Sequence, residues 1–426
     1  MMPTWRRHQS ASRANSGLSV HPSWGKRIVG IEGLRGIAAI SVLIVHVAAE
    51  TALANGASGP LWSAIGQFRH GLTLFFVLSG FLLFRPFVYA VLGGKQRPTV
   101  GKFWFNRAIR IFPAYIVIVL LVSLILQTAR QSGSPPDAKA EASGVLDWVD
   151  TLWAVSLANN LNPDQFRTGL GVGWSITVEL SFYLILPLFG LAAGWIARKS
   201  GRPVMSALTP AVFMLLVGSS SKVWHAMSSK GLSDSQLLDL TWGHTWSAVF
   251  SHSLPMYADL FALGMAVAVL YVCFETERLG TDSLRTSSLA AMSILVLGVA
   301  SAVLFSGTEF ADTAAAAASS SLLVLAILPS RRGELTPLAS LLESRFFVYL
   351  GLISYGVYLW HVPVIWWLQQ RGLTLGSSEL EFVINVLLVS ALTVAASTLT
   401  YFGVEKQALK LKLRTDKGGL AKVAST

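Results

Sequence analysis

Residues 31–50 read IEGLRGIAAISVLIVHVAAE, a stretch apolar enough to enter a bilayer that also carries Arg35 and His46. A charged side chain at membrane depth costs several kcal/mol (about 2.5–3.5 for Arg), so an ionisable residue within a span indicates function by default. Eleven residues of helix advance about 16.5 Å and leave the two side chains about 20° apart around the axis. One face of this span therefore presents a permanent cation near one end and an imidazole deeper inside. The alternative is that Arg35 extends to the interface and His46 is a satisfied core histidine.

The composition of the 426 residues is that of a polytopic membrane protein. Hydrophobic residues make up 53% and charged residues 13%, whereas a typical soluble chain has about 25% charged residues. The net charge of +11 comes from short basic clusters between apolar runs, which indicates membrane topology rather than nucleic-acid binding. The single cysteine, Cys273, excludes a disulfide framework, a thiolate metal cluster and two-cysteine redox chemistry. We expect no metal and no permanently bound cofactor.

Ten apolar runs of about 17–25 residues predict ten membrane-spanning helices. They lie at 29–49, 71–92, 109–128, 173–196, 204–220, 253–274, 287–306, 313–329, 346–368 and 381–403. Most of the 33 Lys and Arg residues fall on one side of these spans, which predicts that both termini are cytoplasmic. The fold predicted is an all-α polytopic bundle. It comprises a disordered basic tail at 1–27, a membrane domain at 28–404 and a second basic tail at 405–426.

Two longer segments are predicted on the outer side, at 129–172 and 221–252. Within the first, VLDWVDTLWAVSLANNL at 145–161 alternates Trp and aliphatic residues with two aspartates, which is typical of an interfacial amphipathic helix. The second carries three histidines among tryptophans. Because these histidines lack metal-ligand spacing, we interpret the segment as a polar, aromatic cap.

Polar groups also interrupt the second and third spans. Ser79 precedes Gly80 in mid-membrane, where close helix packing and a nucleophilic role are both open. Arg107 and Arg110 are three residues apart and share a face at the start of the third span. Arginine is the preferred ligand of phosphate, and it is also a common topology anchor.

The fourth and ninth spans carry the remaining candidates. Glu179 lies about two turns below the outer surface with Tyr183 on the same face, so it must be protonated, paired or in contact with water. His46 is a candidate partner, and a purely structural pair with an arginine is the alternative. Tyr358 and His361 lie on one stripe of the ninth span. Asp259 in the sixth span is a further buried acid.

Five stretches occur together in a characteristic order: EGLRG with His46, FFxxSGF, RxxRIxPxY, WSxxxExxFY and SYxxYLxHxP. With them the chain resembles, from about 29 to 404, the bacterial membrane acyltransferase-3 family, whose members modify surface glycans and lipids. The family's Arg-x10-His signature maps onto Arg35 and His46, and its Arg-x-x-Arg signature onto Arg107 and Arg110. Glu32 stands where the family often has Asp. Some relatives carry an additional C-terminal domain that resembles hydrolases. Because this chain ends after its tenth span, we expect the bundle and its outer loops to handle the acceptor.

The resemblance implies an integral O-acyltransferase of the bacterial inner (plasma) membrane. Its donor substrate would be cytoplasmic acyl-CoA, with acetyl-CoA favoured, and its acceptor a hydroxyl of an extracytoplasmic glycan or glycolipid. The phosphates of coenzyme A would bind Arg107, Arg110 and Arg35.

Under the same resemblance, His46 would act as general base, a role worth about 10²–10⁴-fold in rate. Glu179 would orient it or stabilise its imidazolium. Oxyanion or acceptor contacts would come from Tyr358, His361, Tyr183 and Ser79. A covalent acyl-histidine step stays open.

A proton-coupled transporter of a lipid-linked sugar is the alternative, because intramembrane Arg, His and Glu also build proton relays. The sequence has no paired inverted halves with interrupted helices in corresponding positions, which counts against it. An assembly subunit without catalysis is a third possibility.

Overall fold

The computed structural model describes residues 28–93, 97–329 and 336–410. Within these ranges ten helical segments are long and apolar enough to cross a membrane, by length and composition, as the sequence predicts. They are Ile31–Asn55, Pro60–Leu92, Val100–Leu126, Trp174–Ser200, Pro203–Ser228, Trp246–Glu275, Asp282–Leu304, Phe310–Ile327, Arg345–Gln369 and Glu379–Lys410. The cytoplasmic placement of the termini stays a prediction.

The α-helices follow one another along the chain with short connections. They are α1 (Ile31–Val47), α2 (Pro60–Gly66), α3 (Gly71–Leu92), α4 (Val100–Leu121), α5 (Trp148–Ser156), α6 (Trp174–Ser200), α7 (Pro203–Ser228), α8 (Asp234–Trp242), α9 (Trp246–Ser251), α10 (Leu254–Glu275), α11 (Thr281–Leu304), α12 (Phe310–Ile327), α13 (Pro337–Leu342), α14 (Arg345–Gln369) and α15 (Glu379–Thr400). Three π-helical turns extend α1, α4 and α15, at Ala48–Ala52, Val122–Leu126 and Tyr401–Glu405.

Glycines let α1 pack closely on α14. A Cβ atom on Gly36 would lie 2.8 Å from the Phe347 carbonyl oxygen and 3.0 Å from the Gly351 nitrogen, and one on Gly351 would overlap the Glu32 carbonyl. Small residues at such contacts are how helices approach closely in a membrane, where burial in lipid does not drive association. These two helices carry His46 and His361.

The Ser79-Gly80 pair shows the same principle in α3. A Cβ atom on Gly80 would overlap the Phe261 carbonyl oxygen, and one on Gly264 of α10 would overlap the Val77 carbonyl. Close packing, one of the two open interpretations of this pair, therefore holds for its glycine.

The segment between α4 and α6 folds over one end of the bundle. A two-stranded antiparallel ladder, β1 (Ala129–Arg130) with β2 (Ser143–Gly144), is joined to Gly169 by backbone hydrogen bonds of 2.8 Å in both directions from Arg130. The helix predicted within 145–161 is present as α5, with Asp147 as its N-cap and Trp148 exposed on its surface. The buried Arg130 guanidinium donates to three carbonyls of the 134–138 turn and thereby holds that turn closed.

The structure corrects two predicted boundaries. Helix α7 continues to Ser228, so Lys222 lies inside the bundle rather than in an outer loop, and its Nζ is 2.6 Å from Asp259 Oδ2. Buried polar groups satisfied inside the helix bundle allow the helix to continue past the apolar run. The last helical segment also runs past residue 404, to Lys410. The predicted tail at 1–27 and residues 411–426 of the second tail lie outside the described residues.

Candidate active site: an arginine-lined cavity beside a histidine pair

A cavity of about 140 Å³ lies between α1, α3, α4, α6 and α14. It brings together seven of the nine predicted site residues: Arg35, Ser79, Arg107, Arg110, Glu179, Tyr183 and Tyr358. Apolar side chains of α3, including Phe75 and Phe76, form much of the remaining wall. The two residues that do not line the cavity are His46 and His361.

The three predicted arginines all line the cavity. Among the described residues no ion pair or hydrogen bond joins Arg35, Arg107 or Arg110 to a carboxylate. Arg107 Nε is buried with no hydrogen-bond partner, and its guanidinium lies 5.8 Å from the ring centre of Phe103 and 6.0 Å from that of Tyr183. Half-buried guanidinium groups, one of them with an unused donor, are suited to binding an anion through charge-assisted hydrogen bonds.

Glu179 faces the cavity and is held there by α3. Ser79 Oγ donates a hydrogen bond of 2.5 Å to Glu179 Oε1. The glycine of the Ser79-Gly80 pair thus provides close packing, while the hydroxyl is committed to a carboxylate.

Tyr358 also lines the cavity, with its hydroxyl 2.6 Å from Ser175 Oγ. Tyr358 also donates to the Val172 carbonyl at 3.2 Å, and Ser175 reaches the same oxygen at 3.1 Å. The phenol is therefore fixed in orientation at the point where α14 meets the start of α6.

The imidazole rings of His46 and His361 are in contact, with centroids 4.8 Å apart and planes inclined by 62°. His46 Nδ1 is 2.9 Å from the Val42 carbonyl and His361 Nδ1 is 3.2 Å from the Val357 carbonyl. Because a carbonyl only accepts, each Nδ1 carries the hydrogen and each neutral ring leaves Nε2 free to accept a proton. His361 Nε2 is buried without a partner.

These contacts correct one expectation. His46 is oriented by the hydrogen bond that its Nδ1 donates to the Val42 carbonyl, one turn earlier in the same helix, whereas Glu179 accepts a hydrogen bond from Ser79. A chain of ring contacts nevertheless connects the cavity to His46. The Tyr358 ring, on the cavity wall, lies 5.7 Å from that of His361, which touches His46.

Glu50, which the sequence analysis missed, follows His46 by one turn. It lies in the π-helical turn after α1, accepts a hydrogen bond of 3.2 Å from Trp366 Nε1 and is 3.8 Å from Lys139 Nζ. π-helical turns occur often at functional sites. The four-residue spacing between His46 and Glu50 is visible in the sequence. An acidic residue at the end of an apolar run usually lies at the membrane interface, however, so the spacing alone did not indicate a site residue.

Arg167 lies in the covering segment on the same side as Glu50. It adopts a left-handed backbone conformation with φ of 66°, and its guanidinium lies 4.6 Å above the ring of Trp242. Burial, together with the nearby charge of Arg130, lowers the pKa of Arg167 to about 9.

Glu405 is the second residue that the sequence analysis missed, because the predicted tenth span ends at residue 403. It is 3% exposed, neither carboxylate oxygen has a hydrogen-bond partner within the described chain, and Arg110 and Arg35 are the cations that act on it. A buried carboxyl group therefore lies behind the arginine cluster, on the π-helical turn after α15.

The predicted cap histidines have separate surroundings. His244 contacts the carbonyls of Pro163 and Ser134 at 3.0 and 2.9 Å, which ties the second outer segment to the first. His252 lies among aromatic rings, 4.0 Å from Trp242 and 4.6 Å from Trp174. His225 lies 2.9 Å from Glu309. The contacts of His244 and His252 fit the interpretation of the segment as a cap, whereas His225 lies within α7 and corrects that interpretation for the first part of the segment.

A bundle of ten apolar helical segments around a polar, arginine-lined cavity defines a multi-pass membrane protein with an intramembrane site. The sequence model of the acyltransferase-3 family, which describes an acyltransferase domain, matches residues 28–402 of this chain. The chain therefore belongs to this family, and the resemblance drawn from its motifs is confirmed.

The curated relatives are bacterial proteins of greater length. YrhL of Bacillus subtilis is 27% identical over 362 residues, which cover 79% of this chain and 48% of YrhL. The peptidoglycan O-acetyltransferase OatA of Listeria monocytogenes is 23% identical over 357 residues, 80% of this chain and 50% of OatA. The O-acetyltransferase OatA of Staphylococcus aureus is 24% identical over 354 residues, 79% and 50% of the two chains. The chain thus spans about half the length of the curated relatives it matches. No solved structure matches it.

Proposed function

We propose that the protein is an O-acyltransferase of the bacterial inner membrane. It transfers an acyl group, acetyl in the first instance, from cytoplasmic acyl-CoA to a hydroxyl of an extracytoplasmic glycan or glycolipid. The observation that carries the proposal is the chain of ring contacts between a cavity lined by three arginines and the His46–His361 pair. The OatA relatives are named O-acetyltransferases, which favours acetyl, and the Listeria protein is named a peptidoglycan O-acetyltransferase, which favours a peptidoglycan acceptor.

The donor side of this mechanism uses the arginines. Arg35, Arg107 and Arg110 attract the anionic donor, and the small cavity accommodates its acyl-thioester end near Ser79 and Glu179. Glu179 lies in the wall of the same cavity as the three cations, and an acidic group at this position limits the cost of burying them.

The acceptor side uses the histidine pair. His46 Nε2 takes the proton of the acceptor hydroxyl while the hydroxyl oxygen attacks the thioester carbonyl carbon. A new C–O bond forms and the carbonyl oxygen becomes an oxyanion, to which the Tyr358 hydroxyl donates once its hydrogen turns away from the Val172 carbonyl, which keeps Ser175 as a donor. Collapse of this intermediate breaks the C–S bond, and the imidazolium returns its proton to the departing thiolate.

The test is acyl transfer by purified protein in detergent. With acetyl-CoA and soluble peptidoglycan fragments as the first acceptor, a Cys273→Ser variant should release free coenzyme A thiol and form acetyl esters detectable by mass spectrometry. The single protein thiol is removed so that the released thiol is measured alone. The proposal fails if neither thiol nor ester forms. A transporter would also give no turnover under these conditions.

A further inference from the structure

A second cavity lies where α3 and α6 end and α7 begins, and the function proposed above does not use it. Its volume is about 550 Å³, and its lining includes Phe87, Val91, Arg97, Gly190, Gly194 and Arg198. This end of the bundle is the one predicted to face the cytoplasm. The cavity is therefore open on the side from which a soluble donor would arrive.

The two cavities differ in volume. Sites for drug-sized ligands typically occupy about 300–1,000 Å³. The arginine-lined cavity, at about 140 Å³, is too small for the nucleotide of coenzyme A in addition to the acyl-thioester end. The second cavity falls within the usual range.

The two cavities lie along the same pair of helices. Leu83 and Tyr183 line the first, and Phe87 and Gly190 line the second, one turn further along α3 and two turns further along α6. From Tyr183 to Arg198 the helix advances about 22 Å. A ligand with a head at one site and a long flexible arm reaching the other would match this arrangement.

Phe87 forms the boundary between the cavities. Its ring lies against Gly190, where an added Cβ atom would overlap it, and is 5.6 Å from the ring of Phe103. Phe103 in turn lies 6.5 Å from Tyr183 in the wall of the first cavity. The rings of Phe87, Phe103 and Tyr183 thus form a continuous row of contacts from the second cavity to the first.

The charge of the second cavity is positive. Among the residues that the structure describes, its lining contains two guanidinium groups and no acidic side chain. Among the described residues neither Arg97 nor Arg198 forms an ion pair. Arg198 folds back along its helix, so that Nη1 lies 3.7 Å from the position of a Cβ atom on Gly194. Guanidinium forks of this kind bind phosphate oxygens in pairs.

We propose that this second cavity binds the phosphorylated nucleotide end of coenzyme A. Arg97 and Arg198 contact its phosphates, and the pantetheine arm passes Phe87 into the arginine-lined cavity. This inference rests on the proposed function in taking acyl-CoA as the donor. A phospholipid headgroup shares the phosphate chemistry, and the experiment distinguishes the two sources.

The experiment compares ligands with and without the nucleotide. Binding of coenzyme A and of pantetheine is measured by calorimetry for the full chain and for the double variant Arg97→Gln/Arg198→Gln. Lys199→Gln is the matched control, because Lys199 is an exposed cation on the same turn whose Nζ lies 4.3 Å from the Trp195 ring centre. We expect the double variant to weaken coenzyme A binding about tenfold, with pantetheine binding unchanged and the control like the wild type.

Each other outcome overturns the inference. Equal losses for both ligands, or no loss, would exclude a nucleotide site at these arginines. Repeating the titrations in micelles with and without phosphatidylglycerol tests the lipid alternative. The cavity is a headgroup site instead if two results are found together. Wild-type coenzyme A binding would be the same in micelles with and without phosphatidylglycerol, and this lipid would raise the thermal stability of the wild type but not of the double variant. Because binding is measured without turnover, failure of acyl transfer would overturn the proposed function and leave this result standing.

Discussion

His46 and His361 meet ring to ring at 4.8 Å, and each is fixed through Nδ1 by the carbonyl four residues earlier in its own helix. Two neutral imidazoles held in this way leave two proton-accepting nitrogens side by side. A second imidazole next to the base disfavours a positive charge on both rings at once. The pair can therefore hold one proton, which is what a single acyl transfer requires.

The first prediction concerns His46. His46→Ala and His46→Gln should each lower turnover by about 10²–10⁴-fold, because both remove the titratable nitrogen. Coenzyme A binding should stay near normal in both variants, since the arginines lie elsewhere. Turnover and calorimetric binding, recorded beside thermal stability, check this. A Gln variant with most of its activity would remove His46 from the catalytic role.

The second prediction concerns the cavity arginines. Arg107→Lys and Arg110→Lys keep the charge and the topology but lose the fork of donors beside the acyl-thioester end of the donor, so each should weaken coenzyme A binding about tenfold. Arg371→Lys is the control, because Arg371 is exposed at the other end of the bundle over the Trp367 ring. Affinity that matches the control in both cavity variants would return Arg107 and Arg110 to the role of topology anchors.

The third prediction concerns the buried ion pair between α7 and α10. Lys222→Met should destabilise the protein by about 3–5 kcal/mol, because it leaves the Asp259 charge buried with Thr313 as its remaining partner. Adding Asp259→Leu should recover most of that loss, since it removes the uncompensated charge. Thermal unfolding in detergent measures both. A double variant as unstable as the single one would contradict this account.

The fourth prediction concerns orientation. On a Cys273→Ser background, Ser235→Cys and Ser377→Cys should react with an impermeant maleimide in intact cells, and Ser340→Cys should not. All three side chains are exposed in the structure, so accessibility within the fold does not limit the reaction. Labelling of the cysteine at position 340 from outside would reverse the assignment of the donor side.

Much of the fold followed from the sequence because bilayer thickness fixes the length of an apolar helix. The site residues followed for a related reason. A polar side chain within a span is costly, and each one therefore stands out. This logic found Arg35, Glu179 and His46, and the structure brings Arg35 and Glu179 to one cavity beside the histidine.

The partners of these residues did not follow from the sequence. A carboxylate on one helix can reach side chains on several neighbours, and only packing decides which. Ser79 reaches Glu179 because Gly80 and Gly264 bring α3 close to α10 and fix its rotation. The sequence predicts a loop at Lys222 because a charge normally marks the end of an apolar run. In the structure this charge is paired with Asp259 on another helix, which the sequence does not reveal.

The glycine contact between α1 and α14 sets the histidine pair from a distance. Gly36 and Gly351 face each other, and each precedes its histidine by ten residues, about 15 Å of helix. A change of about 10° in the crossing angle of α1 and α14 at this contact moves the histidine ends of the helices by about 2.6 Å, enough to separate the two imidazoles. A glycine-to-alanine substitution at the contact, which adds one methyl group far from the imidazoles, can therefore change the rate of the proposed proton transfer.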